Sequence, residues 1–558
     1  MNHIKKHVLN KQFLYTICFI AFAVIDWTRG SQVGSIWAWT VNMTGVVMAA
    51  ILFTAYRPRE FVKPVYLIYS AVCIAALPLS YYWWSLHQEV IYRDKLLTAV
   101  LNIWLLGIFV IRMFLDAVVY KTKKLHFSKI EIPAAAMLLW MLFSRNEDVW
   151  PIWYLVMFGM FYHTEYSKED TEALRKGMLN GIIAAFFLLQ GAAFIFRPFD
   201  DPHNRYCGIY ANCNINAMFY GIVWTALLMK LFDIRRNRDK KWKEILCFVF
   251  VGALTAFSVL TISKTAWVSM TVTGLLYVIF ADFHCLEYKA GKFLEKLVSY
   301  LAVTLICIPV AYGAVRYLPP VFHHPVWYDG EYSEDRVHSF DPWDSEKYVS
   351  WGEFSEGVTE RVMPYINAIL GKYQIGAMTV KASDGITIGD TTYKWTEEST
   401  MDFASALGRV SYWEYYLKNG NMAGHLSSEG HDIAGPYIYV WHAQNMFVQL
   451  WYYYGIPSAV LFLAVLVMLV FSSIKKAVKG KEKTGPLCCQ LYVTFFGIFG
   501  LFEATWYPGQ IVLLLAFFVP KFLADAESGM EASAAPDVLK PAERLNFLKD
   551  SGNMTERL

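Results

Sequence analysis

The chain has 558 residues, is 56% hydrophobic and 17% aromatic, and carries 17% charged residues, against about 25% in a soluble domain. Its apolar residues come in repeated runs near the roughly 20 that span a bilayer as a helix, which does not fit a water-soluble globular domain. A net charge of +3 offers no basic surface for nucleic acid.

The first run, Phe13 to Trp27, follows Lys5, Lys6 and Lys11. Asp26-Trp27-Thr28-Arg29 lacks the small residues of a cleavage site, so the run reads as a retained first span. Fourteen candidate spans follow the chain: 12–28, 36–55, 64–84, 96–118, 131–144, 149–163, 177–197, 214–233, 244–262, 265–281, 297–317, 443–471, 487–503 and 509–524. The fifth and sixth are short. Lys and Arg collect in cytoplasmic loops. With the N-terminus inside, the inside loops hold Arg57, Arg59 and Lys63, then Lys121 to Lys129, Lys168 to Lys176, Arg235 to Lys243, Lys289 to Lys296, and Lys475 to Lys483. The outside loops hold only scattered cations. The expected fold is an all-α polytopic membrane protein with about fourteen transmembrane helices and one large, partly helical extracytoplasmic loop.

The parts expected are a membrane bundle over 1–317, the loop over 318–441, three further spans over 442–524, and a disordered cytoplasmic tail over 525–558. The loop of 124 residues carries 18 Asp plus Glu against 8 Lys plus Arg, and a loop of that length and aromatic content reads as folded and functional. Within it Val358, Val362, Tyr365, Ile366, Ile369 and Leu370 recur at helical spacing. Most of the nine cysteines sit in apolar runs as small hydrophobes. Cys207 and Cys213 lie together in an outer loop, where a disulfide is one of two open states.

Polar groups inside membrane spans are costly and tend to be functional. Four patches stand out, all on the side assigned as outer. Asn212-Cys213-Asn214-Ile215-Asn216 enters the eighth span; Asn212 and Asn216 share a helix face, and helix capping is the ordinary role for any one of these asparagines. Thr261 to Trp267 joins two spans with almost no loop, leaving Lys264 at a tight turn as either a snorkelling lysine or a ligand cation. Gly408-Arg409-Val410-Ser411-Tyr412-Trp413 places Arg409 in the acidic loop, either as a surface ion pair or as a fork for phosphate oxygens. Trp441-His442-Ala443-Gln444-Asn445-Met446-Phe447-Val448-Gln449 opens the twelfth span. There His442, Asn445 and Gln449 fall at i, i+3 and i+7, which predicts one polar stripe on an apolar helix.

Such a set offers a base in His442, two cations and several amides. The sequence has no DxD pair for a metal, no nucleophile elbow, no phosphate-cradling glycine loop and no hydride-cofactor fingerprint, and no cofactor is expected. A base with cations suits displacement of a phosphate leaving group by a hydroxyl.

These patches resemble the O-antigen ligase and O-antigen polymerase superfamily over about 205–520. Arg205 to Asn214 is similar to its Gly…Asn-Pro-Asn patch, with Cys213 in place of proline. Thr261 to Trp267 is similar to its Ser-Arg-Gly-Ala-Trp turn, with Lys264 in place of arginine. Gly408 to Trp413 resembles its Gly-Arg…Trp element, and His442 to Gly455 its His-Ala-His-Asn…Leu-Gln…Gly signature, with Gln444 where many members carry a second histidine. The resemblance implies a GT-C-class fold and transfer of glycan from a polyprenyl diphosphate donor to an acceptor outside a bacterial plasma membrane, without metal. It places the essential base on His442 and the essential cations on Arg409 and Lys264. Asn212, Asn214, Asn216, Asn445, Gln449 and Trp413 are expected to contact substrate.

The expected partners are the polyprenyl-diphosphate-linked glycan, an acceptor that is glycan, lipid or cell wall, and membrane lipids, with no nucleic acid. Both termini are expected in the cytoplasm and the active site outside it. A lipid-linked oligosaccharide flippase is the competing reading, because fourteen spans suit it too, although alternating-access transporters carry their sites near midplane between repeats. A polymer-export or receptor protein without chemistry is the third.

Overall fold

The computed structural model describes residues 2–30, 43–86, 93–121, 127–146, 150–197, 199, 204–210, 212–286, 293–322, 341, 343, 348–369, 378–381, 385–388, 391–393, 413, 416–426, 443–480, 483–505 and 510–534. Its helices are α1 Asn2–Gly30, α2 Thr44–Phe53, α3 Pro64–Leu86, α4 Arg93–Phe114, α5 Glu131–Leu142, α6 Trp150–His163, α7 Lys168–Phe196, α8 Cys213–Arg236, α9 Lys241–Leu260, α10 Lys264–Tyr277, α11 Phe293–Phe322, α12 Trp351–Ile369, α13 Met446–Tyr453, α14 Ile456–Lys479, α15 Thr484–Gly500 and α16 Ile511–Ala534. Single π-helical stretches, Leu115–Val119 and Val278–Cys285, extend α4 and α10.

Eight of these helices are long and apolar enough to cross a membrane, with spans of 20 to 30 residues. At 1.5 Å per residue they reach about 30–45 Å, the thickness of a hydrocarbon core or more. Burial separates them by role. The apolar window of α8 is 89% buried, while those of α3 and α11 are 11% and 17% buried. Helix α8 is enclosed by α7, α9, α10 and α15. The outward faces of α3 and α11 expose Leu67, Ile68, Val72, Leu301, Ile306 and Val310. Apolar patches on that scale are stable when lipid, not water, is the solvent. The chain is a multi-pass helical membrane protein. Helices α5 and α6, with 12 and 14 residues, are as short as the sequence predicts.

Among the described residues, three short strands inside the 318–441 stretch depart from the helical pattern: β1 Met378–Lys381, β2 Gly385–Ile388 and β3 Thr391–Tyr393. They form an antiparallel meander in the order β1-β2-β3, with Thr387 opposite both Thr379 and Thr392. The helical periodicity seen from Val358 to Ile369 is realised in α12. Helix α16 runs to Ala534, past residue 525, where the disordered tail was expected to begin.

One predicted span is broken. Between α13 and α14 the chain turns at Tyr454 and Gly455, whose φ is +87°. The segment 416–426 is laced into that break. Ile456 donates its amide to Asn421 O at 3.0 Å, and His425 donates to Tyr453 O at 3.2 Å. A side chain on Gly455 would collide with the Met422 carbonyl, and one on Gly424, at φ +81°, with the Tyr453 carbonyl. The two glycines therefore let two backbones touch in conformations that L-residues rarely adopt. The His425 ring stacks on Tyr452 at 3.9 Å and 2°.

At the far end of the bundle two ion-pair groups tie helices together. Arg175 joins Glu172 at 2.7 Å and Asp233 at 3.0 Å, linking α7 to α8. Arg235 joins Glu244 at 3.0 Å and the fully buried Asp282 at 2.9 Å, linking α8 to α9 and to the end of α10. Losing one partner of such a pair strands a buried charge, which costs more than the pair itself contributes.

Candidate functional site

At the end of the bundle where α8 begins, three short turns meet. The first is the cap of α8. Asn212 is extended and its side chain accepts the amide of Asn214 at 2.7 Å, the arrangement expected of an N-cap. Asn216 sits one turn on, 2% exposed, with its carboxamide packed so closely on Gly208 that any side chain there would meet it. The second is the joint between α9 and α10, where only Thr261, Ile262 and Ser263 separate the helices. Ile262 has φ +48°. A β-branched residue in the left-handed region is strained, and such strain collects at functional sites. The third is the entry to α13.

Arg205 staples the first two turns together. Its Nε donates to Thr261 O at 2.9 Å and its Nη2 to Asn214 Oδ1 at 2.7 Å. The Asn214 amide then donates to Glu503 Oε1 at 2.7 Å, reaching the turn after α15. From that turn Leu501 O accepts the Asn445 side chain at 2.7 Å. Ala443 receives the Trp413 indole on its carbonyl at 2.7 Å, and its own amide donates to Gln449 Oε1 at 2.8 Å. Lys264 reaches α12 with a long hydrogen bond, 3.4 Å, to Arg361 O. Described parts of all four sequence patches thus converge at one end of the molecule.

Below the staple lies a buried polar layer. Gln190 donates to the Tyr206 hydroxyl at 3.1 Å and accepts from Tyr220 at 2.6 Å. Burial pushes the Tyr206 phenol above its ordinary range, against the opposing effect of the Gln190 bond, so it stays a neutral hydrogen-bonding group.

The structure revises the stripe expected at the start of the twelfth span. Helix α13 begins at Met446, and Asn445 is its cap, with Oδ1 accepting from Phe447 N at 2.9 Å and Val448 N at 3.1 Å. Asn445 therefore caps the helix that holds Gln449, and the two do not lie together on one helical face. The reason is local: an Asn before an apolar run competes as a cap more strongly than it continues a helix. Gln444 adds a second strained position beside it, at φ +48°. Arg409 and His442 lie outside the described residues. Cys207 and Cys213 are free thiols, so of the two open states the reduced one is present.

Sequence reasoning passed over Arg205, Glu503 and Arg361. Arg205 entered only as an outer-loop cation and as the first residue of the Arg205 to Asn214 patch, with no role of its own, and Glu503 is the sole acid in the run from Thr484 to Ala504, a signal that could have marked it.

A cavity of about 440 Å³ abuts this end. Met446, Phe447, Gly500 and Thr505 close it near the Asn445–Leu501 contact. It runs between α5, α14, α15 and α16 along Phe462, Leu466, Val493, Phe496 and Phe517 to Lys129, Glu131 and Lys476 at the opposite end. Its lining is mostly apolar, with the charged groups at that opposite end. No family model, curated protein or solved structure matches the chain.

Proposed function

We propose that this protein transfers a glycan from a polyprenyl diphosphate carrier to an acceptor hydroxyl at the extracytoplasmic face of a bacterial plasma membrane, as a polysaccharide ligase or polymerase. The observation that carries the reading is the pairing of a stapled polar surface with an apolar channel that begins beneath it. A carrier lipid needs both, a dry path for its isoprenoid chain and a polar, cationic surface for its head. In this reading all fourteen spans read from the sequence cross or enter the membrane, 318–441 lies outside and both termini lie inside.

The acceptor oxygen attacks the anomeric carbon. A new C–O bond forms as the bond from that carbon to the diphosphate oxygen breaks, and the acceptor proton passes to His442. Lys264, and Arg409 by resemblance, stabilise the charge that develops on the departing diphosphate. Lysine at 264 supplies charge without the paired contact of a guanidinium. Arg205 holds the two turns in register through its Nε and Nη2. The strained turns at Ile262 and Gln444 support the placement, since backbone strain persists where surrounding structure over-determines it.

The test is reconstitution of the whole chain in liposomes with a polyprenyl-diphosphate oligosaccharide and an acceptor glycan. Transfer predicts equimolar lipid diphosphate and lengthened acceptor. Movement of the intact donor across the bilayer with no bond cleavage would favour the flippase reading.

A further inference from the structure

Some 15 Å along α12 from Arg361, at about 1.5 Å per residue, Trp351 packs on the end of α11. Arg316 lies there. It is 4% exposed, and its Nε and Nη1 have no hydrogen-bond partner. Its guanidinium stands over the Tyr348 ring at 4.7 Å and the Tyr317 ring at 5.4 Å. Among the described residues no carboxylate pairs with it. Cation–π contact offsets part of the cost of burying the charge, but it satisfies none of the N–H donors.

The surroundings are an aromatic shelf open to the surface. Trp343 is 74% exposed and pairs with Tyr317 at 5.0 Å. Trp351 is 48% exposed and pairs with Tyr312 at 5.0 Å and Phe354 at 5.6 Å. Tyr312 is fixed by donating its hydroxyl to Val349 O at 2.9 Å. Exposed indole faces, joined through Tyr317 and Tyr312 to a buried guanidinium whose Nε and Nη1 are unpaired, match one kind of ligand: a pyranose ring, whose C–H face covers an indole, bearing an acid group that reaches the guanidinium. We infer that Arg316, Trp343 and Trp351 form a subsite for an acidic sugar residue of the glycan handled at the Lys264 end. The inference rests on the transferase reading for its purpose, though its chemistry stands separately. Helix α12 is the physical link. Its Trp351 end belongs to the shelf, its Arg361 carbonyl accepts Lys264, and an oligosaccharide lying along it would touch both.

Binding to the purified full chain tests this, read by tryptophan fluorescence and by calorimetry. The probes are a tetrasaccharide containing uronic acid, the same tetrasaccharide with its carboxyls reduced to alcohols, and a phosphate-bearing oligosaccharide. At least one acidic probe is expected to bind ten-fold or more tighter than the neutral one. Arg316→Gln should erase that difference while leaving neutral binding in place, and Arg316→Lys should restore only part of it. Should Arg316→Gln fail to fold, Trp343→Ala, at an exposed position, should weaken acidic and neutral probes alike by about ten-fold. Equal affinity for all probes, or no binding of any, overturns the subsite. So does loss of acidic-probe binding in bilayers of anionic phospholipid, which would make Arg316 a lipid-headgroup contact. Acid-selective binding without release of lipid diphosphate would retain the subsite and sink the transferase reading, while transfer without acid selectivity would do the reverse.

Discussion

Asn445 shows how one carboxamide serves two ends. Its oxygen caps α13 and its nitrogen holds Leu501 O. Asn445→Ala should cost about 1 kcal/mol through the cap, and Asn445→Ser should recover most of it. Hydrogen exchange across 446–449 reads this directly, with amides about five-fold faster in the alanine variant. If Asn445→Ser keeps normal exchange yet loses turnover, the residue also contacts substrate. Lys264 carries the opposite expectation. Lys264→Arg should be tolerated or improve turnover, because a fork binds diphosphate better than a point charge. A Lys264→Ala protein as active as wild type would leave Lys264 as a snorkelling residue. At this scale the sequence was half legible. The capping role of Asn212 could be read from residue type, whereas the Arg205–Asn214–Glu503 chain could not, since Asn214 and Glu503 are 289 residues apart.

The elements were legible wherever hydrophobic runs had clear ends. The α9–α10 joint falls where Thr261 to Lys264 predicts a tight turn. The α13–α14 break escaped because Met446 to Phe471 reads as one apolar run, and Gly455 with Pro457 was the overlooked stop-and-start signal. That break has a sharp consequence. Gly455→Ala and Gly424→Ala each place a methyl group against a carbonyl in a left-handed residue. Each should destabilise by about 1–3 kcal/mol. The double variant should lose less than the sum, because both substitutions spoil the same contact. Thermal unfolding in detergent checks it, and two additive losses would mean the glycines act independently.

At the scale of the molecule, the apolar periphery follows from composition, whereas the burial of α8 comes from its packing among neighbouring helices. Handedness across the membrane does not; it rests on the distribution of Lys and Arg, a pattern that helix packing cannot reveal. Cysteine-accessibility labelling in cells should find 318–441 exposed outside and 234–243 and 474–484 inside. Cytoplasmic labelling near Trp395 would invert the molecule and remove the acceptor from its site.

The claim on which the account turns is chemistry, with His442 proposed as the base that takes the acceptor proton. His442→Ala in reconstituted liposomes measures it, with turnover followed by release of lipid diphosphate. The account predicts a fall of about 10²–10⁴-fold, the usual worth of general-base assistance, with donor binding and membrane insertion nearly intact. A folded His442→Ala protein that turns over at the wild-type rate would contradict it.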